Sequence, residues 1–279
     1  MTAKHVLARA RSVLDAADIE DAPFEAELLL RDTLKIDRVQ LYLDFDRELT
    51  PEQQESYWWR IERRLNHEPA AYIVGHREFY GLDFLVDSSV LIPRPESELL
   101  VEKALEIARN RPLSTIAEVG TGCGAIAISL TLSMPHTTIY ATDISPPALR
   151  VALSNCQRYG VSDRVCLLAT DMLDPLPGPF DLIVANLPYV KKSELAAAVS
   201  LSREPRLALD GGPDGLQKIR RLCRQAGSRL RPGGGLLLEI GQGQAEAITA
   251  CLHNVFPSAE IELVPDLSGI ERVVSLTLH

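Results

Sequence analysis

Apolar positions change their spacing twice along this chain. Over residues 1 to about 68 they recur at helical spacing. Val6, Leu7, Ala10, Val13, Leu14 and Ala17 form one stripe. Asp21 followed by Pro23 marks a second helix start, with Phe24, Leu28 and Leu29 on its apolar face. Thr50-Pro51-Glu52-Gln53 marks a third: Thr50 can accept from the backbone, Pro51 suits the first helical position, and Gln53 can reach back to close a capping box. Tyr57, Trp58, Ile61 and Leu65 continue that helix as an apolar stripe. Trp59 cannot share the direction of Trp58 and is the candidate for a contact surface.

Residues 69–95 read as a connector. Tyr72-Ile73, Phe79 and Phe84 punctuated by Gly75 and Gly81 predict a short hairpin, and Pro93-Arg94-Pro95 holds the chain extended. From residue 96 to 279 near-continuous apolar runs alternate with helical segments. Strands are expected at 116–119, 139–143, 165–169, 180–185 and 235–240, with helices at 124–132, 147–159 and 214–230. Runs 260–264 and 272–278 can pair antiparallel at the sheet edge. The expectation is an α/β protein: a doubly wound, mostly parallel sheet with an antiparallel edge strand, preceded by a small all-α domain.

Composition narrows the classes. The chain has 279 residues, 46% hydrophobic and 24% charged, which is ordinary globular usage. No run approaches the ~20 apolar residues of a spanning helix, and charge interrupts the first ten residues, so neither a membrane span nor a secretory signal is expected. Five cysteines without a Cys-x-x-Cys pair and six scattered histidines give no disulfide framework and no metal site; reduced thiols in the cytoplasm are expected. A net charge of −9 argues against a protein that grips many phosphates.

The chemistry sits at the strand ends. Glu118-Val119-Gly120-Thr121-Gly122-Cys123-Gly124 joins a strand to a helix with G-x-G-x-G spacing. That is neither the G-x-G-x-x-G of dinucleotide sites nor a P-loop. An acid at Glu118 repels pyrophosphate and suits a cation. Asp143, closing the next strand, can accept from both ribose hydroxyls. Asp171 and Met172 follow the third strand and can meet a base edge and a base face. The ordered set fits an adenosine ligand with positive charge and no phosphate, S-adenosylmethionine. Asn186-Leu187-Pro188-Tyr189 ends the fourth strand. An acceptor on Asn186 and the carbonyl of residue 187 can hold both hydrogens of a planar amine or amide nitrogen, and Tyr189 can cover the group.

At these residues the chain resembles the HemK/PrmC-type protein-(glutamine-N5) methyltransferases. The resemblance extends through Pro69, Tyr72, Ile73, Gly75, Glu78 and Phe79; through Leu91-Ile92-Pro93-Arg94-Pro95-Glu96 and Glu98; and through Glu204-Pro205, Gly212, Asp214-Gly215, Glu239, Gly241, Gln244, Asp266, Gly269 and Arg272. It spans nearly the whole chain. It implies a seven-stranded Rossmann-like class I methyltransferase domain and methyl transfer to the glutamine of the Gly-Gly-Gln motif in class 1 peptide chain release factors, with S-adenosylhomocysteine as product. Gly120 to Gly124 would wrap the methionine moiety, Asp143 the ribose, and Asp171 and Met172 the adenine. Asn186 and Tyr189 would hold the substrate amide, and the N-terminal helices would grip the release factor. Two alternatives share the motif: a nucleic-acid amino-methyltransferase, and a module that binds the methyl donor without turnover.

The chain departs from the family at Leu187, where the family reads Asn-Pro-Pro-Tyr. A carbonyl is retained there, but Asn186 no longer precedes a proline and loses its bias to extended geometry. Leu187→Pro is expected to raise turnover or leave it unchanged in a methyl-transfer assay; a large loss would overturn this reading of the turn.

Overall fold

The computed structural model describes residues 1–174, 176–197 and 203–279 and divides into two compact units, Met1–His76 and Arg77–His279. The first unit is helical: α1 (Ala3–Asp15), α2 (Ala22–Leu34), α3 (Arg38–Leu43), α4 (Pro51–Leu65) and α5 (Ala70–Val74). Helix α4 begins as its sequence demands. Thr50 Oγ1 accepts from Gln53 N (3.2 Å), and Gln53 Oε1 accepts from Thr50 N (3.0 Å). Helix α3 was not expected from apolar spacing; its start is fixed by the same device, built from Asp37 and Gln40. Helix α5 lies where the sequence suggested only a connector, and its Tyr72 and Ile73 are buried. The core gathers Val6, Leu7, Leu14, Leu29, Leu30, Tyr57 and Ile61, and the Tyr57 hydroxyl donates to the carbonyl of Ala26.

Trp59 is exposed as anticipated, with the Arg63 guanidinium 4.7 Å above its ring. The arginines of α4 have partners within the unit: Arg60 pairs with Asp32 (3.1 Å), Arg63 with Glu68 (2.5 Å), and Arg64 with Glu25.

The hairpin β1 (His76–Phe79) and β2 (Leu82–Leu85) begins at the last residue of the first unit and leads into the second. That unit continues as α6 (Glu98–Asn110), β3 (Thr115–Val119), α7 (Ala125–Ser133), β4 (Thr138–Asp143), α8 (Pro146–Arg158), β5 (Val165–Ala169) and β6 (Phe180–Ala185). Then follow α9 (Lys192–Ala197), α10 (Gln217–Ala226), β7 (Leu230–Glu239), α11 (Ala245–Val255), β8 (Glu260–Pro265) and β9 (Glu271–Thr277). Strands β3 to β9 form a seven-stranded sheet in the order β5-β4-β3-β6-β7-β9-β8. It is parallel except for β9, which runs antiparallel to both β7 and β8. Helices α6, α7 and α8 neighbour one another, as do α10 and α11, and the sheet is covered on both sides. Strand β6 is buried at every residue, which explains its uninterrupted apolar run; edge strand β8 alternates exposed and half-buried positions over most of its length.

One boundary differs from the sequence expectation. The helix foreseen over 214–230 is α10, which ends at Ala226, and β7 starts at Leu230 and carries Pro232-Gly233-Gly234 through an irregular register. Gly227 ends the helix, and the glycines let the strand bend where regular pairing fails.

The strand order reverses between β3 and β6, and in open α/β sheets such a switch point leaves a crevice outside the carboxyl ends. The opposite ends are tied by Asp181. Its Oδ2 accepts from Ser114 N and Thr115 N (both 2.8 Å), and its Oδ1 accepts from Arg231 Nη1 (2.9 Å). Asp181→Ala removes the acceptor for two backbone donors and should lower stability by about 2–3 kcal/mol in urea unfolding.

Candidate functional site

The crevice is floored by the turn after β3. Gly120 (φ 77°) and Gly122 (φ 57°) adopt left-handed backbone that a side chain disfavours. The amides of Gly120 and Thr121 both donate to the Thr142 carbonyl at 2.9 Å, stitching the turn to β4. Asp143 completes the stitch: Oδ2 accepts from Gly122 N (2.9 Å) and Oδ1 from Ser145 N (2.8 Å). Each carboxylate oxygen keeps a further lone pair toward the cavity that Asp143 lines. The cap of α8 is Ser145, whose hydroxyl accepts from Ala148 N, so Asp143 is not spent on that task. Burial raises the Asp143 pKa, opposed by the amides of Ser145 and Gly122.

Glu118 lines the same cavity and is only 1% exposed. Its Oε2 accepts from the Thr121 hydroxyl at 2.7 Å. Burial pushes its pKa up to about 8; the Thr121 hydrogen bond opposes the rise, and the nearby charge of Asp143 adds to it. Among the described residues no lysine or arginine forms an ion pair with it. A buried acid without a cation favours a ligand that brings one.

Thr121, Gly122 and Cys123 also line the cavity; burial drives the Cys123 thiol up to about 12, which keeps it protonated and inert. Gly124 stands apart from the lining. It caps α7 at φ 85°, and a Cβ there would lie 3.2 Å from Ile128 Cδ1 and 3.4 Å from Ala152 Cβ, so it serves helix packing. Beyond β5, Asp171 and Met172 both line the cavity. Asp171 is half-exposed and accepts from Arg221 Nη1 at 2.6 Å, which occupies one of its oxygens. Met172 is buried at φ 63°, a conformation costly for a non-glycine residue and typical of backbone that tertiary contacts over-determine.

The other wall is the end of β6. Asn186, Leu187 and Pro188 line the cavity. Asn186 Nδ2 donates to Ser97 Oγ (2.9 Å), at the start of α6. Leu187 is 6% exposed and packs in the sheet core, with Cδ2 3.4 Å from where a Cβ on Gly120 would stand. Replacement by proline therefore also removes apolar burial. The Tyr189 ring turns away from the cavity lining, and its hydroxyl donates to Glu239 Oε1 at 3.2 Å.

Behind this wall the backbone is braced. Gln244 Nε2 donates to the Tyr189 carbonyl (3.0 Å), and Gln244 Oε1 accepts from Gly241 N (2.9 Å). A Cβ on Gly215 would meet the Tyr189 carbonyl at 2.3 Å, and one on Gly211 would meet that of Pro188 at 2.7 Å. Backbone approach this close leaves only glycine. Across the cavity, Glu204 accepts from Ile92 N and pairs with Arg94, and Pro205, Leu207 and Ala208 add apolar lining. The motif pattern alone gives no site role to Ser97, Glu239 or Gln244. The available signal was positional: Glu239 closes a strand, as Asp143 does.

The comparisons with known proteins agree with this architecture. Residues 5–75 match the PrmC N-terminal domain model, and residues 95–212 match the Methyltransferase small domain model. The ribosomal protein L11 methylase of Lactobacillus delbrueckii subsp. bulgaricus shares the fold, with TM-score 0.52 and 24% identity over 70% of this chain and 84% of that one. The release factor glutamine methyltransferase of Moorella thermoacetica is 42% identical over 274 residues, covering 98% of this chain and 97% of its own length. Its counterpart from Koribacter versatilis is 41% identical over 278 residues, covering 98% of each. With such identity sustained from end to end, the chain belongs to the release factor glutamine methyltransferase family.

Proposed function

We propose that the chain transfers a methyl group from S-adenosylmethionine to the side-chain amide nitrogen (N5) of the glutamine in the Gly-Gly-Gln motif of class 1 peptide chain release factors. One observation carries the reading: Asn186 and the uncompensated acid Glu118 line one cavity, and the Asn186 amide spends its Nδ2 on Ser97. That leaves Oδ1 as an acceptor.

The residues present fit the methyl donor. When bound, it supplies an electrophilic methyl on a cationic sulfur. Glu118 offsets that positive charge, the Gly120–Gly122 turn lets the methionine portion approach the backbone, Asp143 accepts from the ribose hydroxyls, and Asp171 and Met172 flank the base. A glutamine amide nitrogen is a weak nucleophile because its lone pair is delocalised. Asn186 Oδ1 and the Leu187 carbonyl hold its two hydrogens and turn the nitrogen toward the methyl. Alignment of this kind contributes up to roughly 7–11 kcal/mol to lowering a barrier. No strong base is needed, since the nitrogen becomes acidic once alkylated. Tyr189, anchored outside the lining, supports the turn rather than stacking on the amide.

Release factors working in the cytoplasm are the partners this reading requires, without stable nucleic-acid binding. Its support is the chain's net charge of −9 and the internal pairing of Arg60, Arg63 and Arg64. The deciding experiment incubates the protein with labelled donor and either a release factor or DNA, followed by mass spectrometry of the Gly-Gly-Gln peptide. One added methyl on the glutamine is expected. Label on DNA alone would overturn the assignment, and binding of donor without label on either would mark a silent binding module.

Asn186→Ala should lower turnover by roughly 10²–10³-fold while changing donor affinity far less. Equal losses would make Asn186 a cofactor residue. Glu118 gives a second test. A cationic ligand favours its ionised form, so binding lowers a pKa that stands at about 8 and releases a proton. Donor affinity should therefore rise with pH from 6 to 8 in calorimetry, and Glu118→Gln should abolish that slope. The sign is opposite for the unliganded fold. A pKa raised above the ordinary 4.5 gives stability that is complete below 4.5 and lost as pH climbs through 8.

A further inference from the structure

We propose that Glu239 is a positioning residue for the methyl acceptor, fixing through Ser97 the way the Asn186 carboxamide faces and anchoring Tyr189 through its second oxygen. The inference rests on the glutamine-methylation reading and adds to it a group that lies outside the cavity lining.

The geometry is a chain of four side chains from three parts of the fold. Glu239 closes β7 and is 2% exposed, and Ser97 precedes α6 and is 4% exposed. The Ser97 hydroxyl donates to Glu239 Oε2, and the Tyr189 hydroxyl donates to Oε1. Asn186 Nδ2 donates to Ser97 Oγ. An ionised carboxylate can only accept, so both hydroxyl hydrogens must point at Glu239. With its single hydrogen committed, Ser97 can only accept from Asn186. The Asn186 amide must therefore present Nδ2 to Ser97, and Oδ1 is left for the substrate. A protonated Glu239 relaxes every step. Ser97 can then donate to Asn186 Oδ1, and a flipped amide would oppose its own NH₂ to that of the substrate glutamine.

The groups that act on Glu239 are Glu96 and Ser97 ahead of α6, Tyr189 after β6, and Arg272 on β9. Arg272 itself pairs with Asp266 at 2.9 Å. Burial and Glu96 raise the Glu239 pKa to about 7, against the two hydroxyls and Arg272. The acceptor-competent arrangement is thus lost as pH falls through neutrality.

The test uses the full chain with a purified release factor and S-adenosylmethionine, comparing wild type with Glu239→Gln, Ser97→Ala and Ser97→Thr. The expected result is a fall in kcat of about tenfold or more for Glu239→Gln and Ser97→Ala, substantial rescue by Ser97→Thr, and donor Kd and release-factor KM within about threefold. The kcat of wild type should fall on the acid side of about pH 7, and that limb should vanish in Glu239→Gln. A kcat for Glu239→Gln within about twofold of wild type, persistence of the limb, or a loss of donor affinity parallel to the loss of kcat would overturn the proposal. If Glu239→Gln does not fold, the Ser97 pair decides in its place. Hydrogen exchange of the Asn186 side-chain NH₂, followed by nuclear magnetic resonance, needs no turnover. It should be slow in wild type and about tenfold faster in Ser97→Ala; equal rates would overturn the relay. Failure of wild type to methylate any release factor would instead sink the functional reading, and the exchange measurement, made on Glu239→Gln as well with a rise of about tenfold expected and wild-type rates overturning the relay, still decides on Glu239.

Discussion

Carboxylates stationed at the carboxyl edge of a parallel sheet govern this molecule. Glu118 on β3, Asp143 on β4 and Glu239 on β7 all reach the same edge; the first and last are buried and Asp143 is half-buried. Low dielectric makes such charge costly, and the protein answers it differently at each position. Asp143 is met by backbone amides of the glycine turn and of the approach to α8. Glu239 is met by two hydroxyls. Glu118 is met by the Thr121 hydroxyl and the Ala127 amide, with no lysine or arginine paired to it among the described residues.

Much of this was readable from residue order. The parallel strands announce themselves as unbroken apolar runs because both faces are covered, and the capping box of α4 is written in Thr50-Pro51-Glu52-Gln53. The cleft was legible because a doubly wound sheet forces strand-end residues together, so acids and glycines at successive strand ends had to converge. Gly124 and Tyr189 show where this logic thins. Adjacency in a motif does not say what each residue meets: Gly124 is confined by Ile128 and Ala152, which leave little room for a Cβ, and the Tyr189 hydroxyl donates to Glu239. Ser97 was invisible for a related reason. Its role depends on a contact with a strand more than a hundred residues later, and a serine before a helix ordinarily reads as a cap.

Leu187 illustrates how a fold absorbs a departure from its family pattern. Proline at that position would stiffen Asn186 by local sterics. Here the side chain is buried against the glycine turn, so tertiary packing holds the turn, while Ser97 and Gln244 fasten it from either end. The rigidity a proline ring would supply at 187 is spread in this chain over several non-covalent contacts.

The glycines at 211 and 215 lie against the backbone of Pro188 and Tyr189 with no room for a methyl group. Two stretches of main chain, well separated in sequence, are thereby fused into one rigid piece. A shift of the later stretch toward the turn after β6 would bring backbone against backbone. Neither position can carry a larger residue unless that backbone moves, so the path of the main chain behind the turn is set by the absence of two side chains.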